Sequence, residues 1–118
     1  MEFTVHGRLP SLNEVIAANR AHRQVGAKLK RDTDAAIRAQ LPAGHVDGRA
    51  DLTLTWYCAN KRRDPDNVAS AVKFLLDALV AHGTLDGDRW QHIGSITHRF
   101  EVGDDRVEVE LTVCPTTP

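Results

Sequence analysis

Alternation of apolar and polar residues with a period of two recurs in four short segments of the 118-residue chain, and it restricts the fold more than any other feature. The first segment sets Phe3, Val5, Gly7 and Leu9 against Glu2, Thr4, His6 and Arg8 and stops at Pro10. The second sets Leu52, Leu54, Trp56 and Cys58 against Thr53, Thr55 and Tyr57. Ile96, His98, Phe100 and Val102 form the third, and Val107, Val109, Leu111 and Val113 the fourth. The turn-forming Gly103-Asp104-Asp105 between the last two predicts a C-terminal hairpin.

Helical patterns fill the intervals. Ser11-Leu12-Asn13-Glu14 has the S-x-x-E spacing of a capping box, and the apolar run Val15-Ile16-Ala17-Ala18 follows it. Gly26 is expected to interrupt this helix, and a second pattern (Leu29, Thr33, Ala36, Ile37, Leu41) runs to Pro42, with a loop from Pro42 to Arg49. Asp64 suits an N-cap and Pro65 a first helical position, so one long helix is expected from there to Gly83, its stripe Val68, Val72, Leu75, Leu76 and Leu79 facing a core. The order β–α–β–α–β–β predicts an α/β fold: a small single-domain sandwich over residues 1–118, with a mixed four-stranded sheet covered by helices on one side.

With 42% apolar and 26% charged residues the chain has the composition of an ordinary globular domain. Fifteen basic against sixteen acidic residues leave a net charge of −1, so affinity for nucleic acid must come from local clustering. The N-terminus MEFTVHGRLP lacks a basic region followed by an apolar signal core, and no apolar run approaches the roughly 18 residues that span a bilayer. A cytoplasmic location without a membrane partner is expected. Cys58 and Cys114 are too few for a disulfide framework or a Cys-based zinc site and read as reduced core residues.

The chemistry concentrates in Lys61-Arg62-Arg63-Asp64-Pro65-Asp66-Asn67, Lys73, Asp77 and the segment Gly83 to Asp88. Two carboxylates two residues apart at a helix start repel unless a cation lies between them. Mg²⁺ suits such a pair, because it takes carboxylate oxygens and keeps several waters. Asp64 as an N-cap and Asp66 in the first turn would equally serve a helix with no further role. Asp66, Ser70, Lys73 and Asp77 fall on one helical row, along which Lys73 would lean towards the acidic end. Arg20, Arg23, Lys28, Lys30 and Arg31 put five positive charges in twelve residues with no acid among them, and Lys61-Arg62-Arg63 abuts the acid pair. Positive surface around a small negative centre is what holding a phosphate backbone over a metal requires. The histidines show no helical metal-ligand spacing, no nucleophile elbow is present, and His82, His92 and His98 read as structural or surface groups. Trp90, just after the acidic loop, reads as a packing residue ahead of a base-stacking one.

Arg62-Arg63-Asp64-Pro65-Asp66-Asn67, then Lys73-Phe74-Leu75-Leu76-Asp77-Ala78-Leu79, then Gly83-Thr84-Leu85-Asp86-Gly87-Asp88 closely resemble the RusA family of crossover (Holliday) junction endonucleases. Its members read R-R-D-x-D-N, K-x-x-x-D-A-L and G-x-x-x-D-D, and Leu9-Pro10-Ser11-Leu12-Asn13 extends the resemblance, in the manner of the phage-encoded branch. It implies a homodimeric, Mg²⁺-dependent enzyme, with Mn²⁺ as a substitute, that resolves four-way DNA junctions by paired nicks and uses no small-molecule cofactor. By motif, Asp64 and Asp66 correspond to the paired acids, Asp88 to the third acid and Lys73 to the catalytic lysine. Lys61, Arg62, Arg63, Asn67 and the five cations from Arg20 to Arg31 are then candidate DNA contacts. Two positions depart from the pattern. Asp86-Gly87-Asp88 replaces adjacent acids, which leaves the third ligand open between Asp86 and Asp88, and Lys73 stands seven residues after Asp66.

A straight helix from Asp66 to Gly83 rises about 25 Å, whereas the five steps on to Asp88 span at most roughly 17 Å. Asp88 is therefore expected to reach the acid pair of a partner subunit across a two-fold axis. The competing readings are a non-catalytic dimer that binds branched DNA, such as a decayed prophage resolvase, and a small interaction protein whose acids only cap a helix.

Overall fold

The computed structural model describes residues 1–114. Its elements are β1 (Glu2–His6), α1 (Leu12–Ala21), α2 (Arg23–Arg38), β2 (Ala50–Cys58), α3 (Pro65–Ala69), α4 (Val72–Ala81), β3 (Ile93–Val102) and β4 (Arg106–Val113). The strands form one mixed sheet in the order β1-β4-β2-β3, in which only β2 and β3 are parallel. Leu52, Leu54 and Trp56 of β2, Val107, Val109 and Leu111 of β4, and Val5 of β1 bury one face beneath Ile37 of α2 and Leu75 and Leu79 of α4. Thr53, Thr55, Glu108 and Glu110 alternate with them on the uncovered face, so the expected α/β sandwich with helices on one side is the observed fold.

The C-terminal hairpin is not formed. β3 and β4 flank β2 instead, and residues 103–105 step over its end, where the Gly103 N–H donates to the Cys58 carbonyl (2.9 Å) and Asp105 Oδ1 accepts from the Ala59 N–H (3.2 Å). Burial explains the choice. Every inward residue of β4 from Val107 to Leu111 is an aliphatic side chain closed off from solvent, whereas β3 carries His98 in its apolar row and leaves Ile96, Phe100 and Val102 partly open. The more completely apolar strand takes the interior position, and local alternation holds no record of which strand it pairs with.

Each helical stretch is split in two. The first breaks at His22, not at Gly26: His22 is extended (φ −171°, ψ 145°) and its ring Nδ1 accepts from the Gln24 N–H (3.0 Å), which caps α2. Gly26 lies inside α2, where a Cβ would run into the Asn19 side-chain amide of α1. The single helix expected after Asp64 kinks at Ser70 and Ala71, where Ser70 Oγ donates back to the Asn67 carbonyl (2.7 Å) and the Phe74 N–H reaches Ala71, three residues back. The first strand ends at His6 instead of Leu9, because Gly7 turns at φ +105°. Cys58 and Cys114 are free thiols, half-buried instead of enclosed in the core. Among the described residues no helix is long and apolar enough to cross a membrane.

Leu111→Ala, in the interior strand, is expected to cost about 3 kcal/mol and Ile96→Ala, on β3, under about 1 kcal/mol. Urea unfolding of the two variants checks the strand order. Equal costs would contradict it.

Candidate active site

Two distant segments meet to place the acid pair. Asn13 is the second residue of α1, whose N–H has no partner within its own helix. That N–H donates to Asn67 Oδ1 (3.1 Å), so a side chain of α3 caps α1. Ser11 and Glu14 complete the expected capping box. Arg63 points inward: its guanidinium donates to the Leu9 carbonyl (3.4 Å) and to Cys58 Sγ (3.5 Å) and lies 3.9 Å from Asp105. Both Arg63 and Asn67, candidate DNA contacts from sequence, are thus engaged in bracing residues 62–67 against residues 9–13.

The brace leaves Asp64 and Asp66 facing solvent. Asp64 occupies the N-cap position with Pro65 behind it, as expected, yet its carboxylate makes no capping hydrogen bond. The purely structural use of this residue is therefore not the one it is put to. Asp66 Oδ1 accepts only the adjacent Asn67 N–H (2.9 Å). Asp64 forms one wall of an open cleft of about 510 Å³, with Lys61 beside it and Trp56, Phe100 and Val102 on the floor. In that floor Trp56 Nε1–H donates to His98 Nδ1 (2.9 Å), and the rings of Trp56, His98 and Phe100 stack in sequence. The bond fixes the neutral imidazole with its proton on Nε2, and burial lowers the pKa of His98 in the same direction.

Lys73 does not lean towards the acid pair. From Asp66 it stands about 10 Å further along the helical axis, beyond the reach of its side chain. Its ammonium donates instead to Asp77 Oδ1 (2.8 Å) and Asp88 Oδ2 (3.4 Å). The loop after α4 has folded back along the helix, because Leu85 is buried in the core and the Thr84 carbonyl accepts from the Val46 N–H (2.8 Å). Within one protomer Asp88 is thus held at Lys73 and does not join Asp64 and Asp66, as the chain-length argument expects. The loop also separates the two candidate third acids. Asp86 Oδ1 is 2.8 Å from His45 Nε2, while Asp88 turns towards Lys73. His45, which the sequence did not single out, holds Asp86, and Asp77, which it placed in one row with Lys73, shares the Lys73 ammonium with Asp88.

Among the described residues no three His, Cys, Asp or Glu side chains are gathered closely enough to hold a metal ion. Asp64 and Asp66 alone fit Mg²⁺, which commonly takes one or two protein carboxylates and completes its shell with water and phosphate. Lys61 and Arg62 are exposed next to the pair, with no ion-pair partner among the described residues. In α2, Lys28 pairs with Asp32 (2.6 Å), whereas Arg23, Lys30 and Arg31 of the same helix and Arg20 of α1 form no ion pair among the described residues. Lys30 and Arg31 line a hollow of about 200 Å³ together with Phe74 and Asp77, which joins the basic helix to the Lys73–Asp77–Asp88 cluster. No protein-family model matches the chain, and no curated protein matches it.

The hydrogen bond to Asp77 raises the pKa of Lys73 above its ordinary 10.5, slight burial opposes the rise, and the charges of Asp77 and Asp88 add to it. Whatever stability this contributes is present below pH 10.5 and lost only as the pH climbs through the higher folded value. An NMR titration of the Lys73 ammonium should therefore give a midpoint above that of free lysine. Asp77→Asn should lower it more than Asp88→Asn; a midpoint that neither variant moves would contradict the cluster.

Proposed function

We propose that the protein is a Mg²⁺-dependent endodeoxyribonuclease that cuts four-way DNA junctions, acting as a homodimer. The observation that carries this reading is the exposed Asp64 carboxylate. It sits at a helix start without capping the helix, two residues from Asp66 and just after Lys61 and Arg62, which form no ion pair among the described residues. The RusA-like spacing of residues 62–67, 73–79 and 83–88 supports the same reading. Asp64 and Asp66 would hold the ion, and the third acid, Asp88 or Asp86, would come from a partner subunit, since within one protomer Asp88 is held by Lys73 and Asp86 by His45. The ion would supply activation of a water and neutralisation of phosphoryl charge. Mn²⁺ would substitute for it.

The chain's own residues divide the remaining work. Lys61 and Arg62 grip phosphates flanking the acid pair, and Arg20, Arg23, Lys30 and Arg31 carry an arm of the DNA away from it. Lys73 remains charged throughout the neutral range and positions Asp88. A second copy is supported by the uncovered apolar row on the edge strand, where Ile96 is 38%, Phe100 40% and Val102 55% exposed. Two-fold pairing also suits a substrate that needs two matched cuts. The three carboxylates do not converge within one protomer, which a catalytic dimer with composite sites and a non-catalytic binding dimer both expect.

Incubation of the purified protein with a synthetic four-way junction separates the two. Cleavage in Mg²⁺ that Asp64→Asn reduces at least a thousand-fold, with junction affinity kept within about three-fold, is the expected result. Binding that falls steeply with salt but never leads to cutting by the parent protein would leave a binding module.

A further inference from the structure

Trp90 is 89% exposed, although sequence favours burial for so large an aromatic. Its exposure is not that of a loose loop. The Arg49 guanidinium Nε donates to the Trp90 carbonyl and to the Ile93 carbonyl (3.2 Å each), and the Arg49 carbonyl accepts from the Cys114 N–H at the end of β4 (2.6 Å). The turn is closed by the His92 N–H on the Arg89 carbonyl (2.9 Å) and by His92 Nδ1, which accepts from the Arg89 N–H (3.3 Å). Buried Leu85 anchors the segment from the other side. A backbone held from both ends thus presents an uncovered indole, and the ordering cost of any contact it makes is already met.

We propose that Trp90 is a stacking platform for an unpaired nucleobase of the DNA, next to the acid at Asp88. This rests on the nuclease reading and adds to it a residue that contacts a base where the others contact phosphate. Two observations favour a base over a protein partner. Asp86, Asp88, Arg89 and Gln91 around the indole are polar and exposed, with Arg49 beneath, so no apolar patch surrounds it of the kind that forms the centre of a protein interface. The contiguous apolar row of the molecule lies elsewhere, on β3. A lone exposed π-face is how side chains hold unstacked bases in single-stranded segments. Asp88 is two residues away, at most about 7 Å of backbone, so the stacked base would lie beside that acid.

The chain carries its own reporter, because its other tryptophan, Trp56, is 3% exposed. Acrylamide quenching of the free protein should be strong and should come from Trp90. Saturation with a four-way junction, in Asp64→Asn protein without Mg²⁺, should cut that quenching at least three-fold, and a single-stranded oligonucleotide should do the same. In the same background Trp90→Ala should weaken junction binding roughly ten- to a hundred-fold, and Trp90→Phe less. If DNA binds and the quenching stays unchanged, or Trp90→Ala binds as tightly as its parent, the platform is wrong and the nuclease reading stands. If neither DNA binds, both fall. Shielding of Trp90 that grows with protein concentration in the absence of DNA would assign the indole to a second copy and overturn the proposal.

Discussion

The placement of the acid pair depends on one short hydrogen bond, the Asn13 N–H donating to Asn67 Oδ1. Helix α1 starts with backbone donors that nothing in its own helix can satisfy, and α3 supplies an amide oxygen to one of them. Arg63 reinforces the junction through the Leu9 carbonyl. Residues 62–67 are then fixed at both ends of the acidic segment, and between these fixed points Asp64 makes no capping bond and Asp66 accepts the neighbouring Asn67 N–H. Rigid support around unsatisfied charge is what a metal-ligating pair needs, because mutual repulsion would otherwise swing the side chains apart.

The same economy separates neighbouring residues of one kind into different roles. Arg62 faces solvent while Arg63 turns inward, although they are adjacent in a basic run. Asp88 meets Lys73 while Asp86 meets His45. Trp56 lies in the core beside His98, and Trp90 stands clear of it. In the arginine and tryptophan pairs the buried member holds a segment in place and the exposed member faces solvent, while each of the two aspartates has its own partner. Lys30 and Arg31 of α2 lie beside Asp77 and Lys61 beside Asp64, so under the proposed function a phosphate backbone would meet two separated points of contact.

Much of this was legible in the residues themselves. Period-two alternation found all four strands, and the capping box at Ser11 and the Asp64-Pro65 start found the entrances to α1 and α3, because those signals are local. What depended on distant partners was not legible. The position of β4 between β1 and β2 follows from how completely its inward face is buried, which a single strand does not announce. The break at His22 arises from a histidine side chain acting as a cap, an unusual choice for that position, while Gly26 owes its presence to the close approach of Asn19. The kink at Ser70 uses a serine bonded back to the Asn67 carbonyl, and without it Lys73 would not stand where the returning loop brings Asp88. Asp64 and Asp66 were singled out by spacing alone, but only the structure distinguishes a capping carboxylate from an uncommitted one.

The central claim is that Asp64 and Asp66 together hold a divalent cation. Paramagnetic broadening by Mn²⁺ in an amide NMR spectrum tests it without any need for DNA or turnover. Substoichiometric Mn²⁺ is expected to erase the amide signals of Arg63, Asp64, Asp66 and Asn67 first, and Asp64→Asn should abolish that selectivity. Broadening spread evenly over the exposed carboxylates, or centred on the Glu108 and Glu110 face of the sheet, would contradict the account.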